Sequence, residues 1–198
     1  MEIRIAGFGG QGVILATQIL GRAAAIHDGL HATMTQSFGP EARGGACSAQ
    51  LIVSDEPVLY PYVTRADVLV AMSQEACTKF SPEVKPGGIL IVEQDLVRMQ
   101  QPPDGVSVFC LPATRMAEEL GKRVVQNIVM LGFATAITGV VGEEALENAV
   151  LSAVPGHLAD LNRKALAAGL EAGRTCLRNP SSGMETGAIP GLAAGVAS

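Results

Sequence analysis

The sequence predicts an α/β protein, organised as a three-layer single domain with a mostly parallel sheet, C-terminal helices and a low-complexity tail. Three observations predict this class. A strand pattern, a glycine-rich turn, a helical pattern and a second strand pattern follow one another within residues 1–36. Short continuous apolar runs recur up to Leu111, which is typical of strands buried on both faces. Beyond Pro112 the chain carries helical patterns only until its tail.

The first half of the chain supplies the strands. A strand is predicted at residues 3–6, and a helix at residues 13–28 that Gly29 ends. The next strand, residues 30–36, is predicted to pair in parallel with the first through a right-handed crossover. The remaining predicted elements are strands at 47–54, 66–72, 89–92 and 106–111, a short helix at 74–80 and a turn at 85–88.

The second half is helical. Helices are predicted at residues 114–120, 127–138, 143–154 and 157–177, and the second of these is apolar on nearly all sides, so it should be buried. We expect one domain over residues 1–178. Residues 179–198 are rich in Gly, Ala, Ser and Pro, and we expect them to form a tail that is flexible or bound to a partner.

Composition excludes several classes of function. The 198 residues are 48% hydrophobic but only 17% charged, so a partner is expected to cover some apolar surface. A net charge of −5 with 4% aromatic residues argues against nucleic-acid binding. The longest uncharged apolar stretch, residues 128–141, is too short to span a bilayer, and no leader is apparent, so a cytoplasmic location is expected.

Cysteine and histidine spacing gives no indication of a metal site. The four cysteines include no CxxC pair, and the three histidines lack ligand spacing. We therefore expect no metal on this chain and assign these residues buried or satisfied structural roles. Nor does the sequence contain a Ser/His/Asp set or a clear acid–base pair, so no catalytic residue is assigned.

The glycine-rich turn is the first candidate site. Gly7, Gly9 and Gly12 fit G-x-G-x-x-G, and unpaired amides at a helix N-terminus favour an anion. The alternative is a tight turn that needs glycine only for close packing. An NAD site would place an Asp or Glu at the end of the second strand, where this sequence has Thr35, Gln36 or Ser37. A nucleotide-binding loop of the Walker type would continue after Gly12 with Lys and Ser or Thr, but this sequence has Val13-Ile14. An NAD-dependent dehydrogenase is therefore only a weaker alternative.

The second candidate site is the segment 35–45, which follows a strand and should lie at the same sheet edge as the glycines. It contains Gln36, Ser37, Glu41 and Arg43. Arg43 is suited to holding a carboxylate or phosphate, and the alternative is a local ion pair between Glu41 and Arg43.

Together the two motifs resemble the gamma subunit of 2-oxoacid:ferredoxin oxidoreductases, over roughly residues 2–175. The residues that carry the resemblance are Gly7-Phe8-Gly9-Gly10-Gln11-Gly12, Gln36-Ser37-Phe38-Gly39-Pro40-Glu41-Ala42-Arg43-Gly44-Gly45, Ser54-Asp55-Glu56-Pro57, Ala66-Asp67-Val68-Leu69-Val70-Ala71, Lys85-Pro86-Gly87-Gly88, Asn127 and Met130-Leu131-Gly132. Thr35-Gln36-Ser37 and the segment 42–47 are most similar to the 2-oxoglutarate branch. Phe38 stands where the family more commonly has Tyr.

The resemblance implies a multi-subunit enzyme that converts 2-oxoglutarate and coenzyme A (CoA) to succinyl-CoA and CO2, or runs the reverse reaction. Thiamine diphosphate, Mg²⁺ and [4Fe-4S] clusters would sit on other subunits. The implied partners are thiamine-binding alpha and beta subunits, a ferredoxin-like subunit and ferredoxin as electron acceptor. This chain would not be active alone, and its folded part would be the gamma-type domain.

Within that complex the two loops would contact CoA. The amides of Gly9, Gly10, Gln11 and Gly12 would bind a CoA phosphate. The side chain of Arg43 would contact that phosphate or a partner subunit, and Gln36, Ser37 and Glu41 would shape the crevice. The alternative is a non-catalytic scaffold subunit whose glycine loop receives only a partner's backbone.

Overall fold

A six-stranded sheet forms the centre of the computed structural model, which describes residues 1–38, 46–99 and 101–179. The strand order is β2-β3-β1-β4-β5-β6. β1 pairs in parallel with β4, as do β4 with β5 and β5 with β6, whereas β3 is antiparallel to both β1 and β2. All strands except β3 therefore run in the same direction, and the prediction of a mostly parallel sheet is confirmed. The strands are β1 Glu2–Phe8, β2 His31–Phe38, β3 Ala46–Ser54, β4 Ala66–Ala71, β5 Val84–Glu93 and β6 Ser107–Leu111.

The predicted direct pairing of β1 with β2 is wrong, because β3 lies between them. In the ladder Ser48 of β3 is opposite both Ala6 of β1 and Ser37 of β2. β3 follows β2 closely along the chain, and a short connection suits an antiparallel pair better than a crossover does. Since β1 and β2 are both antiparallel to β3, their carboxyl ends still lie at one edge of the sheet, as predicted.

Six α-helices accompany the sheet in the described residues: α1 Val13–Arg22, α2 Gln74–Phe80, α3 Ala113–Glu119, α4 Gln126–Thr138, α5 Glu143–Ala153 and α6 Ala159–Arg178. The helix predicted at 13–28 is α1 continued by a π-helical turn, Ala23–His27. The prediction that residues 85–88 form a turn before the next strand is wrong. These residues lie inside β5, where the pairing with β4 shifts register between Ala66 and Val68 and Gly87 has φ +79°.

The strand side chains alternate between two hydrophobic clusters, one on each face of the sheet. Val68 and Val70 of β4 face a large cluster formed with α1, α3, α4, α5 and α6. Leu69 and Ala71 face a smaller cluster that includes Cys77 of α2. Because successive side chains of β4 face opposite sides of the sheet, the helices pack in two layers, one on each face. The predicted three-layer architecture is therefore confirmed.

α4 is the buried helix of the larger layer, as predicted. Its residues from Gln126 to Thr135 are all buried. α6 packs against it through glycines, and a Cβ atom built on Gly169 would lie 2.0 Å from the carbonyl oxygen of Val129. This close approach fixes α4 in position, and the N-terminus of α4 lies at the candidate site.

Several other predictions can be compared with the described residues. All four cysteines are free, and burial raises the pKa of each thiol, for Cys110 to about 11. Of the buried or satisfied structural roles predicted for the histidines, burial is wrong, because His27, His31 and His157 are exposed at helix ends or at the sheet edge. Within the described part of the chain no helix has the length and apolar character needed to cross a membrane. The predicted tail lies outside the described residues apart from Asn179, so its role remains a prediction.

Candidate functional site

The glycine loop joins the carboxyl end of β1 to the start of α1. Gly10 and Gly12 have φ values of +94° and +73°, which favour glycine. Gly12 is the N-cap of α1, and no side chain caps that helix. The first turn of α1 therefore keeps backbone N–H groups without a side-chain acceptor, which is the local property that attracts anions.

Gln11 holds this loop against the neighbouring strand. Its Oε1 accepts a hydrogen bond of 2.6 Å from the N–H of Phe8, and its Nε2 donates one of 2.8 Å to the carbonyl oxygen of Met72. The N–H of Gln11 also donates to the carbonyl oxygen of Phe8, at 3.2 Å. Gln11 is buried, so its side chain fixes the loop at the end of β4.

The start of α4 lies beside the same loop. Asn127 donates a hydrogen bond of 3.3 Å from Nδ2 to the carbonyl oxygen of Gly12. The N-cap of α4 is Val125, again with no side-chain cap. Two helices therefore begin next to each other, and the positive ends of their dipoles face the same region.

A cleft of about 620 Å³ opens between the glycine loop, the start of α2 and the start of α4. Gly9 and Gly10 lie on one side of it, and Arg123 and Gln126 lie on another. Its remaining polar lining comes from Gln11, Ser73 and Gln74, and its apolar lining from Phe8, Leu96 and Val124. The three apolar side chains are 37%, 37% and 65% exposed, so the cleft combines polar donors with an uncovered apolar rim.

Arg123 supplies positive charge at this cleft. Its guanidinium is exposed, and no carboxylate of residues 1–38, 46–99 or 101–179 forms an ion pair with it. An arginine that is free of internal carboxylates can pair with an anionic ligand.

A buried carboxylate supports the part of the wall that Gln126 forms. Glu93, at the end of β5, is 0% exposed and accepts hydrogen bonds from the N–H groups of Leu96 and Thr114, at 2.8 and 3.2 Å. Burial raises the pKa of Glu93, and these two N–H groups oppose that rise. The hydroxyl of Thr114 donates to Oε1 of Gln126, at 2.8 Å.

The structure brings together only part of the predicted site. Gly9, Gly10 and Gln11 line the cleft, and Gly12 lies at the start of α1. Gln36 and Ser37 are exposed at the end of β2, on the side of β1 away from the cleft. Glu41 and Arg43 lie outside the described residues.

Four residues of the cleft were not predicted: Ser73, Gln74, Arg123 and Gln126. A signal for the first two was available, because they follow the buried strand β4 and so lie at its carboxyl edge. Arg123 and Gln126 precede α4 and reach the cleft only through tertiary packing of that helix.

Comparison with known proteins gives a consistent result. Residues 2–172 match the family model described as pyruvate ferredoxin/flavodoxin oxidoreductase. The 2-oxoglutarate synthase subunit KorC of Methanothermobacter marburgensis is 49% identical over 176 residues, which cover 86% of this chain and 95% of the relative.

Solved structures agree in fold. The gamma subunit of a keto/oxoacid ferredoxin oxidoreductase from Geobacter sulfurreducens superposes with a TM-score of 0.79 at 45% identity, covering 88% of this chain and 98% of that chain. The 2-oxoglutarate:ferredoxin oxidoreductase of Magnetococcus marinus, solved with 2-oxoglutarate, coenzyme A and succinyl-CoA bound, superposes with the same TM-score of 0.79 at 23% identity. This chain covers 31% of that longer chain, with 88% of its own length.

These findings confirm the resemblance and the fold predicted from the sequence, including the gamma-type subunit and the 2-oxoglutarate branch. The chain is a subunit of an oxidoreductase complex, and other subunits are its partners. It belongs to the pyruvate ferredoxin/flavodoxin oxidoreductase family.

Proposed function

We propose that the cleft beside the glycine loop holds a phosphate group of CoA while the assembled 2-oxoglutarate:ferredoxin oxidoreductase forms or consumes succinyl-CoA. The observation that carries this proposal is the convergence of two helix N-termini without side-chain caps on a cleft that also contains Arg123. Backbone N–H groups, helix dipoles and a guanidinium all favour an anion with several acceptor oxygens.

Each part of the cleft has a role in this proposal. The N–H groups of Gly9 and Gly10 donate to phosphate oxygens, and Arg123 neutralises charge. The side chain of Gln11 holds the loop, and its N–H already donates to Phe8. The apolar rim of Phe8, Leu96 and Val124 covers the uncharged part of CoA and excludes water. This chain thus binds and orients CoA, whose thiol takes the acyl group as a thioester.

The remaining cofactors are proposed to belong to other subunits. Among the described residues no group of three or more His, Cys, Asp or Glu side chains is placed to hold a metal ion, and burial raises the pKa of all four thiols. These residues do not fit Mg²⁺ or a [4Fe-4S] cluster, so we derive no step through either. Thiamine diphosphate is likewise proposed to be held by the alpha and beta subunits.

The proposed setting is a cytoplasmic complex. Its other members would be the thiamine-binding alpha and beta subunits and a ferredoxin-like subunit, with ferredoxin accepting the electrons. In support, the relative from Methanothermobacter marburgensis is named a subunit of 2-oxoglutarate synthase. The Magnetococcus marinus enzyme was solved with CoA and succinyl-CoA bound.

Gln36, Ser37, Glu41 and Arg43 remain predicted site residues. Gln36 and Ser37 are exposed near the carboxyl end of β2, at the same sheet edge as the glycine loop. We propose that Gln36 and Ser37 approach CoA, or a partner subunit, from the side of β1 opposite the cleft, while Glu41 and Arg43 lie outside the described residues.

The test uses paired glycine substitutions in the assembled complex. Gly10→Asp places a carboxylate at the cleft, and Gly105→Asp is a matched control, because both glycines have positive φ and neither has an atom within 4 Å of a built Cβ. Calorimetric titration should show at least a tenfold increase in the Kd of CoA for Gly10→Asp. The Gly105→Asp complex should keep the Kd of the unsubstituted complex. Equal values for all three complexes would contradict the proposal.

A scaffold role is the second candidate, and the exposed side chains of Phe8, Leu96 and Val124 favour it. In that case a partner subunit would fill the cleft. Gly10→Asp would then reduce subunit assembly, measured by analytical ultracentrifugation, and would leave the Kd of CoA unchanged in the complexes that still form.

A further inference from the structure

We infer that Gln126 is a CoA-binding residue whose Nε2 donates a hydrogen bond to a phosphate oxygen in the cleft, and that Thr114 positions it. This inference rests on the proposed function, since it assigns a contact within the same site.

Gln126 combines burial with an unused donor. It lines the cleft, yet its exposed fraction is only 4%. Its Oε1 accepts the hydroxyl of Thr114 at 2.8 Å, while its Nε2 has no partner among residues 1–38, 46–99 and 101–179. Nε2 is not among the atoms that are both fully buried and unpartnered, so it is accessible from the cleft. An acceptor oxygen entering the cleft can therefore take a hydrogen bond that the described residues leave unmade.

Thr114 holds one end of the Gln126 amide. Thr114 is 8% exposed, and its own N–H donates to the fully buried Glu93. Because its hydroxyl donates to Oε1 of Gln126, the amide is held with Nε2 as the remaining donor. A continuous chain of buried hydrogen bonds thus runs from Glu93 through Thr114 to the wall of the cleft.

The neighbours of Gln126 favour a phosphate oxygen as the acceptor. Arg123 lies on the same segment, and Gly9 and Gly10 lie on another side of the same cleft. α4 has no side-chain cap, although the N–H of Gln126 itself already donates to the carbonyl oxygen of Arg123. The amide of Gln126 is a neutral donor, so its hydrogen bond orients a bound anion without adding to the positive charge already present in the cleft.

The experiment compares ligands and variants in the assembled complex. Gln126→Met keeps the length of the side chain and removes the donor, and we expect it to raise the Kd of CoA about five- to tenfold. The Kd of pantetheine, which has no phosphate, should not change. Thr135→Val is the matched control, because Thr135 is a buried residue of α4 whose Oγ1 has no partner and which does not line the cleft.

A positioning role for Thr114 predicts non-additive effects. Thr114→Val should raise the Kd of CoA, and the double variant with Gln126→Met should bind CoA as weakly as Gln126→Met alone. A role for Thr114 in folding alone would instead lower the thermal stability and leave the Kd unchanged. Should Gln126→Met fail to assemble, Gln126→Glu keeps the shape, repels phosphate and should weaken CoA binding at least as much.

Three results would overturn the inference. One is an unchanged Kd of CoA for Gln126→Met while Gly10→Asp weakens binding, which would leave the proposed function standing. Another is an equal loss of affinity for CoA and pantetheine, which would rule out a phosphate contact. The third is an unchanged Kd for both Gln126→Met and Gly10→Asp, which would remove the proposed function as well.

Discussion

Asn127 and Gly12 are 115 positions apart in the chain, and the Nδ2 of Asn127 donates a hydrogen bond of 3.3 Å to the carbonyl oxygen of Gly12. This bond joins the start of α4 to the start of α1. It places the N-termini of two helices at one cleft, which neither helix could form alone. The geometry of the candidate site therefore depends on tertiary packing as well as on the glycine motif.

Gly12→Ala tests this contact. A Cβ at Gly12 would lie 2.4 Å from Nδ2 of Asn127, in addition to the strain of an alanine at φ +73°. We expect the free energy of unfolding to fall by about 3 kcal/mol, the sum of left-handed strain and overpacking. Gly10→Ala is the control, because its Cβ meets nothing within 4 Å, and it should cost about 1–2 kcal/mol. Equal losses in urea unfolding would contradict the contact.

Gln11→Leu tests the support of the glycine loop. The substitution leaves the N–H of Phe8 and the carbonyl oxygen of Met72 without their partner, so we expect a loss of about 2–4 kcal/mol in unfolding free energy. Gln18→Leu, at an exposed position of α1, should change stability by less than about 0.5 kcal/mol. Similar unfolding curves for the two variants would show that the loop does not need this side chain.

Gly169→Ala tests the packing of α4 on α6. Its Cβ would lie 2.0 Å from the carbonyl oxygen of Val129, and the two helices would have to separate. The expected loss is about 3 kcal/mol, measured by chemical unfolding. Gly156→Ala, where a Cβ meets nothing within 4 Å, should change stability little. A neutral Gly169→Ala would mean that the helices are not in such close contact.

A salt bridge at the amino end of the sheet predicts a pH dependence. Burial raises the pKa of Asp67, but hydrogen bonds from Lys85 and from the N–H of Glu2 outweigh it, so the pKa lies below its ordinary value of 3.8. A lowered pKa in the folded state means that the ionised carboxylate stabilises the fold above pH 3.8. This stabilisation is lost as the pH falls through the folded-state pKa.

Asp67→Asn should therefore be less stable than the unsubstituted protein at pH 7, and the difference should shrink as the pH falls below 3.8. Denaturant unfolding at a series of pH values measures it. Glu75→Gln, which also removes a carboxylate but at an exposed position of α2, serves as the control. The role of this ion pair would be contradicted if the difference in unfolding free energy between Asp67→Asn and the unsubstituted protein did not change with pH.

The sequence was sufficient to predict most of the fold, because local patterns determine most of its elements. Alternation in β4 and the apolar character of α4 each follow from residues close together in the chain. Strand order does not follow in this way. β3 lies between β1 and β2 because of how the strands pair with one another. By composition alone, either β2 or β3 could be the strand next to β1.

The site was predicted only in part for a similar reason. The glycine loop has a local signature, because Gly9 belongs to the G-x-G-x-x-G spacing and Gly10 lies beside it, and both line the cleft. Arg123 and Gln126 carry no motif, and they reach the cleft because α4 packs beside α1. Gln11 was predicted to act through its backbone, whereas its side chain makes the two bonds that hold the loop.

The most direct measurement is a structure of the assembled complex with CoA bound, from which the distance between a phosphate oxygen and the backbone nitrogen of Gly10 is read. The proposed function predicts a hydrogen bond of about 3 Å, with Arg123 in contact with the same phosphate. CoA bound with its phosphates on another subunit, and a partner's backbone against Gly10, would contradict it.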